Sequence, residues 1–399
     1  MPTVAPRRSP DRAERIAFLT DCFPVLSETF VGNEIRAVER HGRAVETLAF
    51  RRPDAAFQPA DAALAERTVY VDRAARPILT PVPSRWMAAW RFAQEQTGLP
   101  AASLMLNGAR VARVLQRRGV DHIHAHFAWG SAAHAIVAAR LAGITVSFVG
   151  HGSDVFATPT DLAVKLRHAD LAVATCEDTR THFRDLEPTA RVETVACGID
   201  PDRFAGDPAF NGPRTALVFV GRLIERKGVL EILQALRLLP SADRPSLDIV
   251  GDGPERVRLE AYAMEHGLDG VRFLGSQPAD WLGQHLPRYR ALLAPYFEGQ
   301  DGGRDTGPLV AKEALACGVP VIASAFMGLK EIVDPDCGLL VPPRAVPALA
   351  AAIAEAASWS DSELVARGAA GRRRVLDLFT DARQAETLCA AFDALRREA

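Results

Sequence analysis

No two of the six cysteines form a CxxC pair. Neither a paired-cysteine zinc site nor a disulfide framework is expected, and the scatter of Cys22, Cys176, Cys197, Cys317, Cys337 and Cys389 fits a reducing cytoplasm. No apolar run comes near the roughly 18 residues of a membrane span. The stretch AIVAARLAGITVSFVG is broken by Arg140, so an integral membrane protein is not expected. A formal charge of −2 gives no electrostatic reason to bind nucleic acid. There is no GxxxxGK(S/T) loop, which removes the P-loop kind of ATP hydrolysis. GDGPER (251–256) begins like GxGxxG, but Arg256 stands where the third glycine belongs and the motif falls mid-chain. Nothing repeats beyond a two-domain echo, and no segment is of low complexity. Residues 1–14 are basic and no long apolar run follows them, so they read as a disordered lead-in, not a signal peptide.

What is present is a globular composition, 48% hydrophobic and 24% charged, over 399 residues, a length that favours two domains. Apolar, β-branched runs alternate with Ala/Leu-rich helical patterns. Strands are expected at 16–20, 45–50, 122–127, 145–150, 171–175 and 192–196. A second series follows at 216–221, 246–251, 271–275, 291–295, 319–324 and 338–342. Strands separated by helices call for βαβ units and mainly parallel sheets, an α/β doubly wound class. Residues 197–214 carry prolines and glycines that prevent a long helix or central strand, and the boundary belongs there. The expected domains are therefore 15–205 and 206–379, with a closing helix over 380–399. Two such sheets leave a cleft at their C-terminal strand ends, where ligands bind.

Chemistry-bearing residues fall at those strand ends. GRLIERKG (221–228) puts Gly221, Arg222 and Lys227 after a strand, and the two cations suit a diphosphate; a solvated charged loop explains them equally well. In RDTGPLVAKEALACG, Pro308 fits the first helical position, Thr306 or Gly307 the cap, and Gly318 the stop. The start of that helix would offer free N–H groups to phosphate. Glu313, leaning back toward it, could reach a vicinal diol such as a ribose, or simply face solvent. In PVLSETFVGNEI, Ser27 reads as a helix cap and Glu28 as a first-turn acid, with ligand contact a lesser reading. His122, His124 and His126 share one strand face, but no nearby acidic or cysteine set supports a metal. His151, in HGSD, stands at a strand end where it could meet a substrate hydroxyl or serve structure alone. Trp86 and Trp90, flanked by arginines, form either an interfacial membrane patch or helix core packing.

Together, SETFVGNEI, HIHAHFAWGSA, HGSDVF, ACGIDPDRF, VGRLIERKG, VGDGPER, VRFLGS and EALACGVPVIAS, in that order, resemble the family-4 retaining glycosyltransferases. The match is nearest to the branch that builds bacterial exopolysaccharide and related surface glycans. The resemblance implies the GT-B fold: two Rossmann-like domains facing a cleft, with the last helix crossing back to the first domain. It implies that Arg222 and Lys227 hold the donor diphosphate and Glu313 the ribose. Asp305 would take the place of the first glutamate of E-x7-E, and His151 would lie beside the donor sugar's C6 hydroxyl. The amides around Thr306, Gly307, Leu309 and Val310 would meet sugar and phosphate, with Gly221, Gly251 and Leu274 on the donor side. Ser27, Glu28 and Thr29 would form the loop facing phosphate and acceptor. Asp at 305 is one C–C bond, roughly 1.5 Å, shorter than the family's Glu. Glu298 has the wrong spacing to replace it, and AFMGLKE (325–331) departs from the family's Gly-rich version.

The activity so implied is transfer of a hexose-type sugar from a UDP- or GDP-sugar to a glycan or lipid-linked acceptor. Configuration would be retained, without cofactor or essential metal. Transfer to a soluble small molecule, non-catalytic nucleotide-sugar binding and nucleotide-sugar epimerisation are the competing readings. Cytoplasmic location follows, with peripheral contact at the inner membrane face left open.

Overall fold

The computed structural model describes residues 14–54, 57–71, 76–78, 82–205, 212 and 214–398. The expected lead-in, apart from Glu14, and most of the 206–213 boundary segment lie outside these residues. Glu14 itself is buried and paired with Arg43 at 2.8 Å.

Two parallel sheets are present. The first contains β1 (Arg15–Cys22), β2 (Ala44–Arg51), β3 (Val69–Tyr70), β4 (His122–His126), β5 (Thr145–Gly150), β6 (Leu171–Ala174) and β7 (Val192–Thr194), in the order β3-β2-β1-β4-β5-β6-β7. The second contains β8 (Leu217–Val220), β9 (Leu247–Val250), β10 (Val271–Gly275), β11 (Ala291–Ala294), β12 (Val321–Ser324) and β13 (Gly338–Val341), in the order β10-β9-β8-β11-β12-β13. The expected α/β class and all twelve expected strands are found. β3, two residues long, is the addition, too short for any periodicity to reveal.

Strand order reverses between β1 and β4, and again between β8 and β11. Such reversals open crevices at the strands' C-terminal ends. Central strands β4, β6, β9, β11 and β12 are buried along their whole length because helices cover both faces. The helix Asp381–Glu398 crosses to the first sheet, where Leu388, Phe392 and Leu395 join Ile16, Phe18 and Ile35 in one apolar cluster. At the crossing, Ile199 donates to Phe379 O and Asp381 donates to Ile199 O, both at 2.9 Å. Two chain segments therefore pass side by side between the domains.

Two helix boundaries differ from expectation. The helix Thr29–Arg40 is preceded by Glu28 in the cap position, with no side-chain cap bond. Ser27 is thus not the cap, because Val31 N–H already donates to Glu28 O and starts the helix one residue later. The helix Leu309–Ala316 likewise begins after Pro308, which takes the cap position in place of Thr306 or Gly307. Its end is as expected. Gly318 has φ +71° and donates to Leu315 O, while Val319 donates to Ala314 O, the paired bonds of a left-handed helix stop.

Candidate active site

A cavity of about 420 Å³ opens between the domains. The first domain contributes Ser27, Thr29, Phe30, Gln58, His151 and Cys197; the second contributes Gly221, Lys227, Tyr296, Glu313 and the segment from Asp305 to Val310. Of the residues expected from sequence, Ser27, Thr29, His151, Gly221, Lys227, Asp305, Thr306, Gly307, Leu309, Val310 and Glu313 line it. Arg222, Glu28, Gly251 and Leu274 do not. Arg222 is exposed and pairs with no described residue. Glu28 is half-buried beneath the loop, where burial raises its carboxyl pKa. Gly251 stands behind Gly221, and Leu274 packs onto the second domain's core.

The cationic end is built on the loop after β8. Lys227 Nζ pairs with Asp305 Oδ2 and lies 3.9 Å from the centre of the Tyr296 ring. Burial is the largest single influence on the lysine and opposes its charge. Asp305 and Tyr296 together outweigh it and push the pKa above the usual lysine range. The short Asp305 side chain is thus engaged by the phosphate-site lysine. Glu298, the rejected alternative, pairs with Arg304 and lies outside the cavity.

The helix Leu309–Ala316 points its first turn into the same space. Its opening amides are free, apart from Pro308, which has no N–H. Glu313 lines the cavity, and among the described residues no group donates a hydrogen bond to its carboxylate. Burial pushes its pKa to about 7, with Arg203 and then Lys312 opposing. Lys312, one residue earlier, turns the other way: it is 1% exposed and donates to Cys197 O at 2.6 Å across the domain interface. Thr306 makes a second bridge. Its hydroxyl accepts from Thr175 Oγ1 at 2.7 Å and donates to His151 O at 3.0 Å.

His151 is held from below. Asp154 accepts from the amides of Ala128 (2.7 Å), His151 (2.9 Å) and Gly152 (2.9 Å), so the aspartate of HGSD braces the loop. His151 Nε2 lies 3.0 Å from His126 Nδ1, the rings stacked at 5.3 Å and 7°. Burial, then His126, holds the His151 pKa well below the usual value. His122, His124 and His126 do share one face and are wholly buried. The acidic partner missing from their sequence neighbourhood is Glu34, whose Oε1 lies 3.4 Å from His124 Nε2 and 3.3 Å from His126 Nε2.

Sequence reasoning missed Tyr296, Phe30, Gln58, Cys197, Gln277 and Glu34. Tyr296 follows β11 at a switch-point strand end, a signal that was available. Gln58 and Glu34 reach their places only through tertiary packing. The AFMGLKE stretch supports the interface: Gly328 packs on Thr306 O, Lys330 pairs with Asp178 at 2.7 Å, and Glu331 accepts from Glu177 N at 2.8 Å. Of the tryptophan pair, Trp86 packs on the first domain's core, while Trp90 is 43% exposed. The i,i+4 spacing sets the two on one side of the buried Ala89, Phe92 and Ala93 stripe, but Trp86 is half-buried against the core, so they do not form one exposed patch.

Residues 27–203 match the model for Glycosyltransferase Family 4 and residues 202–372 the model for Glycosyl transferases group 1. A Mycobacterium tuberculosis GDP-mannose-dependent alpha-(1-6)-phosphatidylinositol monomannoside mannosyltransferase is 34% identical over 301 residues, 69% of this chain and 77% of that protein. The chain belongs to the family-4 glycosyltransferases. The putative colanic acid biosynthesis glycosyltransferase WcaL of Escherichia coli is 27% identical over 88% of this chain and 92% of its own. The GT-B fold is shared with Anabaena HepE, solved with UDP, at a TM-score of 0.71 and 19% identity over 95% of this chain and 100% of HepE. Among the described residues, no helix of this glycosyltransferase is long and apolar enough to cross a membrane.

Proposed function

We propose that the enzyme transfers a sugar from a nucleoside-diphosphate sugar, with retention of configuration and without a metal, to a glycan or lipid-linked acceptor. The observation that carries this reading is the convergence of three donor-type features on one cavity: Lys227, the open N-terminus of the helix Leu309–Ala316, and the unpartnered Glu313. Relatives named for GDP-mannose use and for exopolysaccharide synthesis support the donor class and the acceptor class.

In this reading Lys227 and the helix amides stabilise the diphosphate as negative charge develops on it, and Arg222, outside the cavity in this structure, joins them by turning its exposed side chain inward. Glu313 accepts hydrogen bonds from the ribose hydroxyls. The bond from sugar C1 to phosphate oxygen breaks, and the acceptor oxygen bonds to C1 on the same face. The acceptor's proton passes to the departing phosphate oxygen, giving a nucleoside diphosphate and a glycoside. Asp305 and Glu313 serve binding, so neither is needed as a nucleophile.

A thermal-shift series with UDP, GDP, ADP and their common sugars tests the donor class. Ligand at 100 times its dissociation constant should add about 2.7 kcal/mol of stability. Transfer from the donor so identified is then followed by NMR of the anomeric proton in the presence of chelator. An inverted product would sink the retaining reading, and loss of turnover on chelation the metal-free one.

A further inference from the structure

A chain of hydrogen-bonding side chains runs through the first domain to the cavity. Thr145 Oγ1 lies 2.8 Å from His122 Nδ1, and His122 Nε2 lies 2.7 Å from Ser147 Oγ. Ser147 Oγ is also 2.7 Å from His124 Nδ1. Then come Glu34, shared by His124 and His126, and finally His151. Parallel pairing of β4 and β5 aligns these partners, setting His122 opposite Thr145 and His124 opposite Ser147. Glu34 enters from the helix Thr29–Arg40 and its second oxygen accepts from Gln384 Nε2 at 2.5 Å. The C-terminal helix therefore closes the network, and the Phe392 ring lies tilted against His122 with centroids 4.1 Å apart.

The direction of every bond follows from one group. A carboxylate only accepts, so an N–H facing Glu34 Oε1 at 3.3–3.4 Å is favoured over a lone pair at the Nε2 atoms of both His124 and His126. Glu34 Oε1 and the two Nε2 atoms are buried and make no hydrogen bond of good geometry with any described group, so the 3.3–3.4 Å contacts among them are all that sets their protons. In neutral rings, both Nδ1 atoms are then acceptors. Ser147 donates to His124, so it must accept from His122, and Thr145 donates to His122. On the other side, His126 Nδ1 accepts from His151 Nε2–H. That leaves His151 Nδ1 as a lone pair with no partner among the described residues, in a ring that lines the cavity.

We propose that Glu34, acting through His126, is a positioning residue that fixes His151 as a hydrogen-bond acceptor toward a hydroxyl of the bound sugar. The site thereby selects a donor whose sugar bears a hydroxyl at that position over its deoxy counterpart. Burial holds His122, His124 and His151 toward the neutral form. The charged and titratable groups facing His126 and His151 are Glu28, Glu34, His124 and Asp154. What His151 meets rests on the glycosyltransferase reading; its tautomer does not.

The test is NMR of the full-length protein isotope-labelled at histidine nitrogens, with His151 assigned by its loss in His151→Gln. His151 is expected as the neutral ring protonated at Nε2, and as a tautomer mixture in Glu34→Gln. A ring protonated at Nδ1, a cationic ring, or no change in Glu34→Gln overturns the proposal. So does a stoichiometric metal ion by elemental analysis, since the Nε2 atoms would then be ligands and not donors. In turnover, His126→Phe keeps the ring stack without the acceptor and should lower kcat about tenfold or more, which equals about 1.4 kcal/mol. His126→Gln, whose carbonyl can accept from His151, should recover most of it. Equal loss in both variants would point to a role in packing alone. Binding of free UDP or GDP should stay unchanged in the Glu34 and His126 variants; if the parent protein binds neither, the glycosyltransferase reading fails while the tautomer result stands.

Discussion

Glu313 and Lys312 are chain neighbours with opposite fates, and the helix explains both. Successive side chains on a helix point about 100° apart, so Lys312 enters the domain interface while Glu313 faces the cavity. A carboxyl with a pKa of about 7 against an ordinary 4.5 binds its proton more tightly when folded than when unfolded. Stability without ligand should therefore fall as pH rises from about 4.5 to about 7, because the folded state resists ionisation through that window. Glu313→Gln should flatten this dependence and raise the ligand-free melting temperature above pH 7 by roughly 2 °C or more. The same variant should weaken nucleotide-sugar binding at least about tenfold, since charge-assisted bonds to the diol are lost. Scanning calorimetry across pH and titration calorimetry with donor read the two effects. A parallel pH dependence in both proteins would show that Glu313 is not the titrating group.

At the scale of elements, strand content was legible because buried parallel strands read as short β-branched runs. The glycine stop of the helix Leu309–Ala316 was legible because Gly318 needs a left-handed backbone that few residues adopt. Cap positions were less so: Ser27 and Thr306 are good cap residues by type, yet hydrogen bonding begins at neighbours set by tertiary packing. Glu34 shows the larger gap. It lies about ninety positions before the histidines it joins, and no spacing rule spans that separation. GDGPER was legible as a turn, and the structure gives its reason. Gly251 has φ +136°, and a Cβ there would stand 1.9 Å from Gly221 O, at the start of the Lys227 loop. Gly267 has φ +62° but open space around it. Gly267→Ala should cost about 1 kcal/mol for backbone conformation alone. Gly251→Ala should cost more than twice that and also impair diphosphate binding, because the β8 loop must move. Melting temperature and UDP or GDP titration separate the two; equal losses would mean that the Gly221 contact is unimportant.

For the whole molecule, the cleft is framed by a pivot and a clasp. The pivot is the pair of crossing segments joined through Ile199, Phe379 and Asp381. Beyond it, the domains meet at Thr175–Thr306–His151, at Lys312–Cys197 and at the Lys330–Asp178 ion pair. Thr306, like His151 and Cys197, is a member of this clasp that also lines the cavity, and it adjoins Asp305. Closure and donor binding therefore share a residue. Thr306→Val keeps shape but removes one acceptor and one donor, each bond being worth about 1 kcal/mol. Opening lets water satisfy Thr175 and His151 O, so the variant should favour an open form, with a larger radius of gyration by small-angle scattering without ligand. Donor must then supply the closure itself, and its affinity should fall roughly five- to thirtyfold, the factor that 1–2 kcal/mol represents. Saturating donor should return the radius to that of the parent protein. If the radius never differs and only the melting temperature drops, Thr306 is a static interface contact, and closure is governed by the pivot.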